Sequence, residues 1–198
     1  MAVTIEDIKK LKELTGVGLT DAKHALVEAD GDFDKALQAM RKKGLTKAEK
    51  KGDRETREGL IESYVHSNRI GVVVEVNCET DFVARLPEFK EFAHQIAMQI
   101  AAMNPSYATM EDIPADALKA KKEELLNSEG LKSKPEAMRE QIVDGQLKKH
   151  FAEQVLTEQM FVLDDSKTVD QLIKEQIAKS GENIRVSQFK RIELGVTE

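Results

Sequence analysis

Few residues in this chain are spaced for covalent chemistry. Cys78 is the single cysteine, and its neighbours Asn77 and Glu79 supply neither a cation nor a base. Nearby carboxylates raise a thiol pKa rather than lower it, so a buried structural cysteine at a strand end is expected, not a nucleophile. One cysteine also excludes an intrachain disulfide and a multi-cysteine metal site. His24, His66, His94 and His150 are scattered, without partners at metal-ligand spacing, so no metal is expected. No glycine-rich loop ends in Gly-Lys-Ser/Thr. Gly16-Val17-Gly18 lacks both the third glycine and the preceding strand of a dinucleotide fingerprint. No cofactor is expected, and no carboxylate pair marks an acid/base dyad. The chain is not expected to be an enzyme.

Thr80-Asp81-Phe82-Val83-Ala84 is different. It follows an apolar strand and precedes a proline-initiated helix, a place where loops carry function. An acid beside a large aromatic can enter a partner's cleft, the ring filling a pocket and the carboxylate accepting hydrogen bonds. Burying such a ring stabilises a complex by about 1.5–3 kcal/mol. A packing role stands beside this one: Asp81 caps a turn while Phe82 and Val83 staple the helix to the sheet.

The elements that hold this loop can be read from periodicity. Thr4 and Asp7 open a first helix, with Ile5, Ile8, Leu11 and Leu14 at core spacing. Thr15-Gly16-Val17-Gly18 breaks it with two residues suited to positive φ. Thr20 restarts a second helix with Ala22, Ala25, Leu26 and Ala29 on one face. Asp32 caps a third, lined by Phe33, Ala36, Leu37 and Met40, and Gly44 sits where a terminating glycine belongs. Residues 45–58 are almost all polar and are expected to be a charged linker or a solvated helical extension.

Residues 60–65 and the β-branched run 70–76 then form a hairpin around Ser67-Asn68-Arg69. Pro87 opens a helix to about Met103, with Phe89, Phe92, Ala93, Ile96, Ile100 and Met103 as its stripe. Helices follow near 116–127 and from Ser133 to about Glu158, the latter burying Met138, Ile142, Leu147, Phe151 and Val155. Thr168–Gln171 is a capping box opening a helix with Val169, Leu172, Ile173 and Ile177. Residues 180–183 turn the chain into a last strand, 184–194, irregular near Phe189. The predicted class is α+β: a three-helix module over 1–52, then a core over 59–198 with a small antiparallel sheet packed with helices.

Composition narrows the function. The chain has 198 residues, 33% charged, with net charge -6. Residues 1–52 carry 11 basic and 9 acidic side chains and the remainder 19 and 27, so the two parts offer different surfaces. The acidic balance disfavours direct nucleic-acid or membrane partners. The N-terminal MAVTIEDIKK has no apolar signal core, and no run reaches the ~18 apolar residues of a bilayer span. A cytoplasmic location is expected.

The run Glu75-Val-Asn-Cys-Glu-Thr-Asp-Phe-Val-Ala84 closely resembles the core signature of the bacterial elongation factor Ts family. Leu11–Leu26, Glu28–Asp32 and Met40–Gly44 resemble that family's opening module. Lys134-Pro-Glu, Ile142–Gly145, Gln159–Val162, Lys167–Val169 and Arg191–Gly195 resemble its second segment and ending. The resemblance implies a three-helix ubiquitin-associated-like domain ahead of the α+β core. It implies a guanine nucleotide exchange factor that binds elongation factor Tu with GDP and promotes GDP release, so that GTP can rebind. Thr80, Asp81, Phe82 and Val83 are then the wedge that dislodges Mg²⁺ and phosphate contacts. Val17, Gly18, Leu19 and Thr20 dock the first module on the GTPase domain. Thr20, where relatives often have a bulky apolar residue, also suits the cap of the second helix.

The chain has the compact family form, which implies a homodimer that supplies two cores. The helix around His150 and Phe151 is a candidate for contacts with the partner's other domains. The alternative is a stabilising, chaperone-like subunit of the same GTPase without exchange activity. A ubiquitin-binding adaptor, suggested by the three-helix module alone, leaves the second part unexplained.

Overall fold

A computed structural model describes residues 3–15, 17–128 and 136–196. Three helices come first: α1 (Ile5–Thr15), α2 (Leu19–Glu28) and α3 (Phe33–Glu49). The Thr4 hydroxyl accepts the Asp7 amide at 3.1 Å, and the Asp32 carboxylate accepts the Lys35 amide at 3.1 Å. Both serve amide groups that a helix start leaves without intrahelical partners. Leu11, Ala22, Ala25, Leu26, Ala36 and Met40 form the buried centre of this bundle. The alanines let the helices approach closely.

Four expectations fail here. Gly18 is the extended N-cap residue of α2, with φ −65°, not a positive-φ residue; Gly16 lies outside the described residues. Thr20 is inside the first turn of α2 and caps nothing. Ile5 and Leu14 share the spacing of Leu11, yet both are exposed. Gly44 does not end α3, which runs on to Glu49. A helical glycine costs about 1 kcal/mol against alanine, and here the chain gains the burial of Ala48 in the larger core. The 45–58 stretch is thus neither fully solvated nor fully a linker.

The strands β1 (Glu58–His66) and β2 (Ile70–Cys78) pair antiparallel in continuous register. Ser67 and Asn68 both adopt positive φ, 49° and 56°. They are the centre of a turn closed by the Arg69 amide donating to the His66 carbonyl at 2.9 Å, in a three-residue loop between the paired His66 and Ile70. At Gly59 φ is 149°, and any Cβ there would collide with the Val76 carbonyl. The last strand, β5 (Arg185–Glu193), pairs with β2 from the other side, so the order is β1-β2-β5. Its irregularity is a bulge: Gln188 faces Glu75 and Val186 faces Val76, leaving Ser187 unpaired. The Ser187 hydroxyl instead donates to Asn77 Oδ1.

One face of this sheet is the core. Val72, Val74, Val76 and Cys78 meet Phe89, Phe92, Ala93, Ile96 and Ile100 of helix α5 (Pro87–Met103). The short helix α4 (Asp81–Ala84) joins β2 to α5. Met103, at the end of the predicted stripe, is exposed, whereas Gln99 is fully buried.

Beyond α5 come α6 (Ala115–Leu126) and α7 (Glu136–Ala152), which with a 3₁₀ turn at Met110–Asp112 enclose a small cluster of Ile113, Phe151 and Val155. The predicted start at Ser133–Pro135 lies outside the described residues. Helix α7 ends at Ala152 rather than near Glu158, with a 3₁₀ turn at Leu156–Glu158. Met138 is exposed and Val143 takes the fully buried position.

A small hairpin, β3 (Met160–Phe161) and β4 (Asp164–Thr168), leads to α8 (Val169–Ser180). The Thr168–Gln171 capping box is formed in both directions. Helix α8 packs against α3 and adds Val169, Ile173 and Ile177 to the main core. The class is α+β, as expected.

Candidate functional site

The loop after β2 starts from Cys78. Its side chain is buried and its Sγ donates to the Thr80 carbonyl at 3.1 Å. Burial, then the nearby Glu182 carboxylate, pushes the thiol up to about 11. This is a structural cysteine, as its neighbours foretell.

Thr80 is extended and caps α4, its hydroxyl accepting the Val83 amide at 3.4 Å. The same hydroxyl donates to Glu182 Oε1 at 2.6 Å. Glu182 Oε2 accepts the amides of Glu79 and Thr80 at 3.1 and 3.0 Å. Thr80, not Asp81, is therefore the capping residue.

Val83 and Ala84 are buried against the sheet and α5. They supply the packing staple. Phe82 does not: its side chain stands 72% exposed. Asp81 is also exposed, its Oδ2 2.8 Å from Arg85 Nη2. Such an exposed i,i+4 pair contributes little to stability. The turn thus has a buried half, Val83 with Ala84, and an open half, Asp81 with Phe82.

The second predicted group divides differently. Val17 is half-buried against the helical cluster, and Gly18 is the backbone cap of α2. Leu19 and Thr20 line an open groove with Ile5, Ile8, Lys23, His24 and Val27. Ile5, Leu19 and Val27 are each more than half exposed, so the groove is apolar with a basic rim. The two predicted groups sit on separate elements and are not brought into one cavity.

The sequence, compared with known proteins, matches the family described as Elongation factor TS over residues 21–196. It is 53% identical to Elongation factor Ts of Thermotoga petrophila over 196 residues, covering 98% of each chain. It is 50% identical to Elongation factor Ts of Fervidobacterium nodosum over 199 residues, 98% of this chain and all of that one. With Elongation factor Ts of Thermodesulfovibrio yellowstonii the identity is 47% over 198 residues. The chain belongs to the elongation factor Ts family.

An elongation factor Ts is a factor of protein biosynthesis, and this one has exposed apolar residues on the loop and along the groove. Others lie on the β3–β4 hairpin, at Met160, Val162 and Leu163, and on the outer face of the sheet, at Ile61, Val65, Val73 and Ile192. Contiguous exposed apolar residues of this kind are the sort of surface that protein contacts use. Among the described residues no helix is long and apolar enough to cross a membrane.

The histidines of this elongation factor Ts remain apart. His94 Nδ1 lies 3.0 Å from Glu62 Oε1, and His66 Nδ1 lies 2.9 Å from the Tyr64 hydroxyl. His150 is exposed beside Phe151, and Phe151 itself is a buried packing residue. What sequence reasoning missed is Glu182 and Asn183, which hold the Thr80 loop from about a hundred positions away. No local spacing signals such a partnership.

Proposed function

We propose that this protein is a guanine nucleotide exchange factor for elongation factor Tu. The observation that carries the reading is the presentation of Asp81 and Phe82. An exposed aromatic and acid stand on a turn whose own backbone is capped, bonded and packed. Preorganisation of this kind lowers the ordering cost of binding, so the gain from burying Phe82 is spent on the partner.

In the proposed mechanism Thr80, Asp81, Phe82 and Val83 form the wedge. Phe82 enters between helices of the GTPase, and Asp81 accepts hydrogen bonds there. Mg²⁺ and phosphate contacts are disturbed and GDP leaves. Residues 1–52 act as a docking module through Val17, Gly18, Leu19 and Thr20, with the apolar groove around Leu19 supporting this role. The factor must hold the nucleotide-free GTPase more tightly than the loaded one. Reciprocity then requires GDP to weaken the factor's own binding equally. No bond is made or broken by the factor, no cofactor enters, and the direction of exchange comes from nucleotide supply. The reading carries a cytoplasmic location with it, and it needs neither a nucleic acid nor a membrane.

Two copies are proposed to associate through the open sheet face. Ile61, Val65, Val73 and Ile192 support that pairing, since an apolar sheet face is normally covered.

The test is release of fluorescent GDP from elongation factor Tu in excess unlabelled nucleotide. Substoichiometric factor should accelerate release, and Phe82→Ala should remove most of the acceleration while leaving a measurable remainder. Binding without acceleration would leave the stabilising-subunit reading instead.

A further inference from the structure

We infer that Glu182 is the positioning residue for Asp81 and Phe82, acting through Thr80; the inference rests on the exchange reading above. Helix α4 has four residues and cannot hold its own orientation, because a single turn is an unfavourable nucleus. Val83 and Ala84 pack its far end against the core, but the exposed ring of Phe82 cannot anchor its start. What fixes the start, where Asp81 and Phe82 stand, is the cap, and Glu182 holds the cap.

Three donors converge on this one side chain: the Glu79 amide, the Thr80 amide and the Thr80 hydroxyl. Only an acceptor-only group satisfies all three, and an ionised carboxylate is one. Its charge also sets the polarity of the cap. Because the Thr80 hydroxyl proton is drawn to Oε1, an oxygen lone pair is left for the Val83 amide.

Glu182 is itself fixed. Gly181 ends α8 at φ 79°, and the Ser180 hydroxyl accepts the Glu182 amide at 3.2 Å. Asn183 is buried. Its amide donates to Glu79 Oε1 at 2.7 Å, and its side chain donates to the carbonyls of Gly52 and Arg54 at 3.1 and 2.8 Å. The two segments therefore clasp reciprocally, each side chain taking the other's backbone. The Lys51 ammonium donates to the Gly181 carbonyl, so the chain leaving α3 joins the same junction.

The experiment is a double-mutant cycle with Glu182→Ala and Phe82→Ala, read by GDP release, together with amide hydrogen exchange of the free factor. Glu182→Ala should lower the maximal release rate about tenfold. In the Phe82→Ala background it should cost nothing further, since a residue acting only through the wedge is not additive with it. A merely structural role would be additive.

The Glu79 and Thr80 amides should exchange at least about tenfold faster in Glu182→Ala, with the β1–β2 ladder unchanged. Glu182→Gln keeps two acceptor bonds and reverses the one to the Thr80 hydroxyl, so it should fall between wild type and alanine. It carries the same cycle if the alanine variant does not fold. Additive losses in the cycle, or unchanged protection at Thr80, would overturn the inference. If the wild-type factor does not accelerate release, the exchange reading has failed. The amide comparison then decides alone whether Glu182 holds the loop.

Discussion

Gln99 holds Val162 in place: its Oε1 accepts the Val162 amide at 2.8 Å from within the core. Its Nε2 donates to the Met160 carbonyl and to Gln159 Oε1, both at 3.1 Å. A fully buried amide from the middle of α5 is thus the anchor of the β3–β4 hairpin. Gln99→Leu keeps the volume and leaves the Val162 amide and Met160 carbonyl without this partner. It should cost about 2–4 kcal/mol, seen as a lower urea midpoint with an unchanged slope. A loss below about 0.5 kcal/mol, the level of an ordinary surface substitution, would show that the clamp is not needed.

Phe82 and Phe89 should respond oppositely to truncation. Phe82→Ala should leave stability within about 0.5 kcal/mol of wild type, because its ring is exposed. Phe89→Ala removes a fully buried ring and should cost about 3–5 kcal/mol. Parallel denaturant titrations check both. A Phe82→Ala protein as damaged as Phe89→Ala would mean the ring packs against its own chain.

The Cys78 thiol is pushed up to about 11 from an ordinary 9.0. The folded state therefore keeps its proton at pH values where the unfolded thiol has lost it. That contribution is complete below pH 9 and is lost as pH rises through about 11. Stability should fall over this alkaline window, and Cys78→Ala should flatten the fall. At pH 8 a thiol reagent should label the denatured protein and spare the native one. Rapid native labelling would contradict the burial.

Leu19 lines the groove on the first module and is 53% exposed. Leu19→Ala should leave the melting temperature unchanged and weaken binding to nucleotide-free elongation factor Tu on the order of tenfold, the range of an apolar anchor. Calorimetric titration checks this. Unchanged affinity would remove the groove from the interface.

Val73 lies in the middle strand on the outer sheet face and is half exposed. Val73→Lys places a charge where two sheets would meet. Light scattering should find a dimer for the wild type and a monomer for the variant. A wild-type monomer at working concentration would end the pairing proposal.

Much of this architecture is written locally. The hairpin is announced by β-branched residues around Ser67-Asn68, α5 by Pro87, and α8 by the Thr168–Gln171 box. Each signal acts within a few residues, where propensity and capping decide. The failures lie where distant packing decides. Gly44 reads as a stop because nothing nearby says that Ala48 has a core to reach. Ile5 and Leu14 have the right period, but a period does not tell which side of a stripe is left open. The wedge candidates are legible as a motif, and the structure leaves Phe82 exposed and Val83 buried. Glu182, which grips Thr80 across 102 positions, leaves no trace in spacing.

The central strand β2 is paired by β1 through a tight turn and by β5 only after more than a hundred intervening residues. During synthesis the first pairing is available early, since nearby segments meet before distant ones. The Thr80 turn is then still ungripped, because residues 180–193 have not been made. A half-finished chain on the ribosome accordingly has a hairpin but no seated wedge. The seat of that turn is complete only once Glu182 has joined it, so the order of synthesis is also the order in which the loop is assembled.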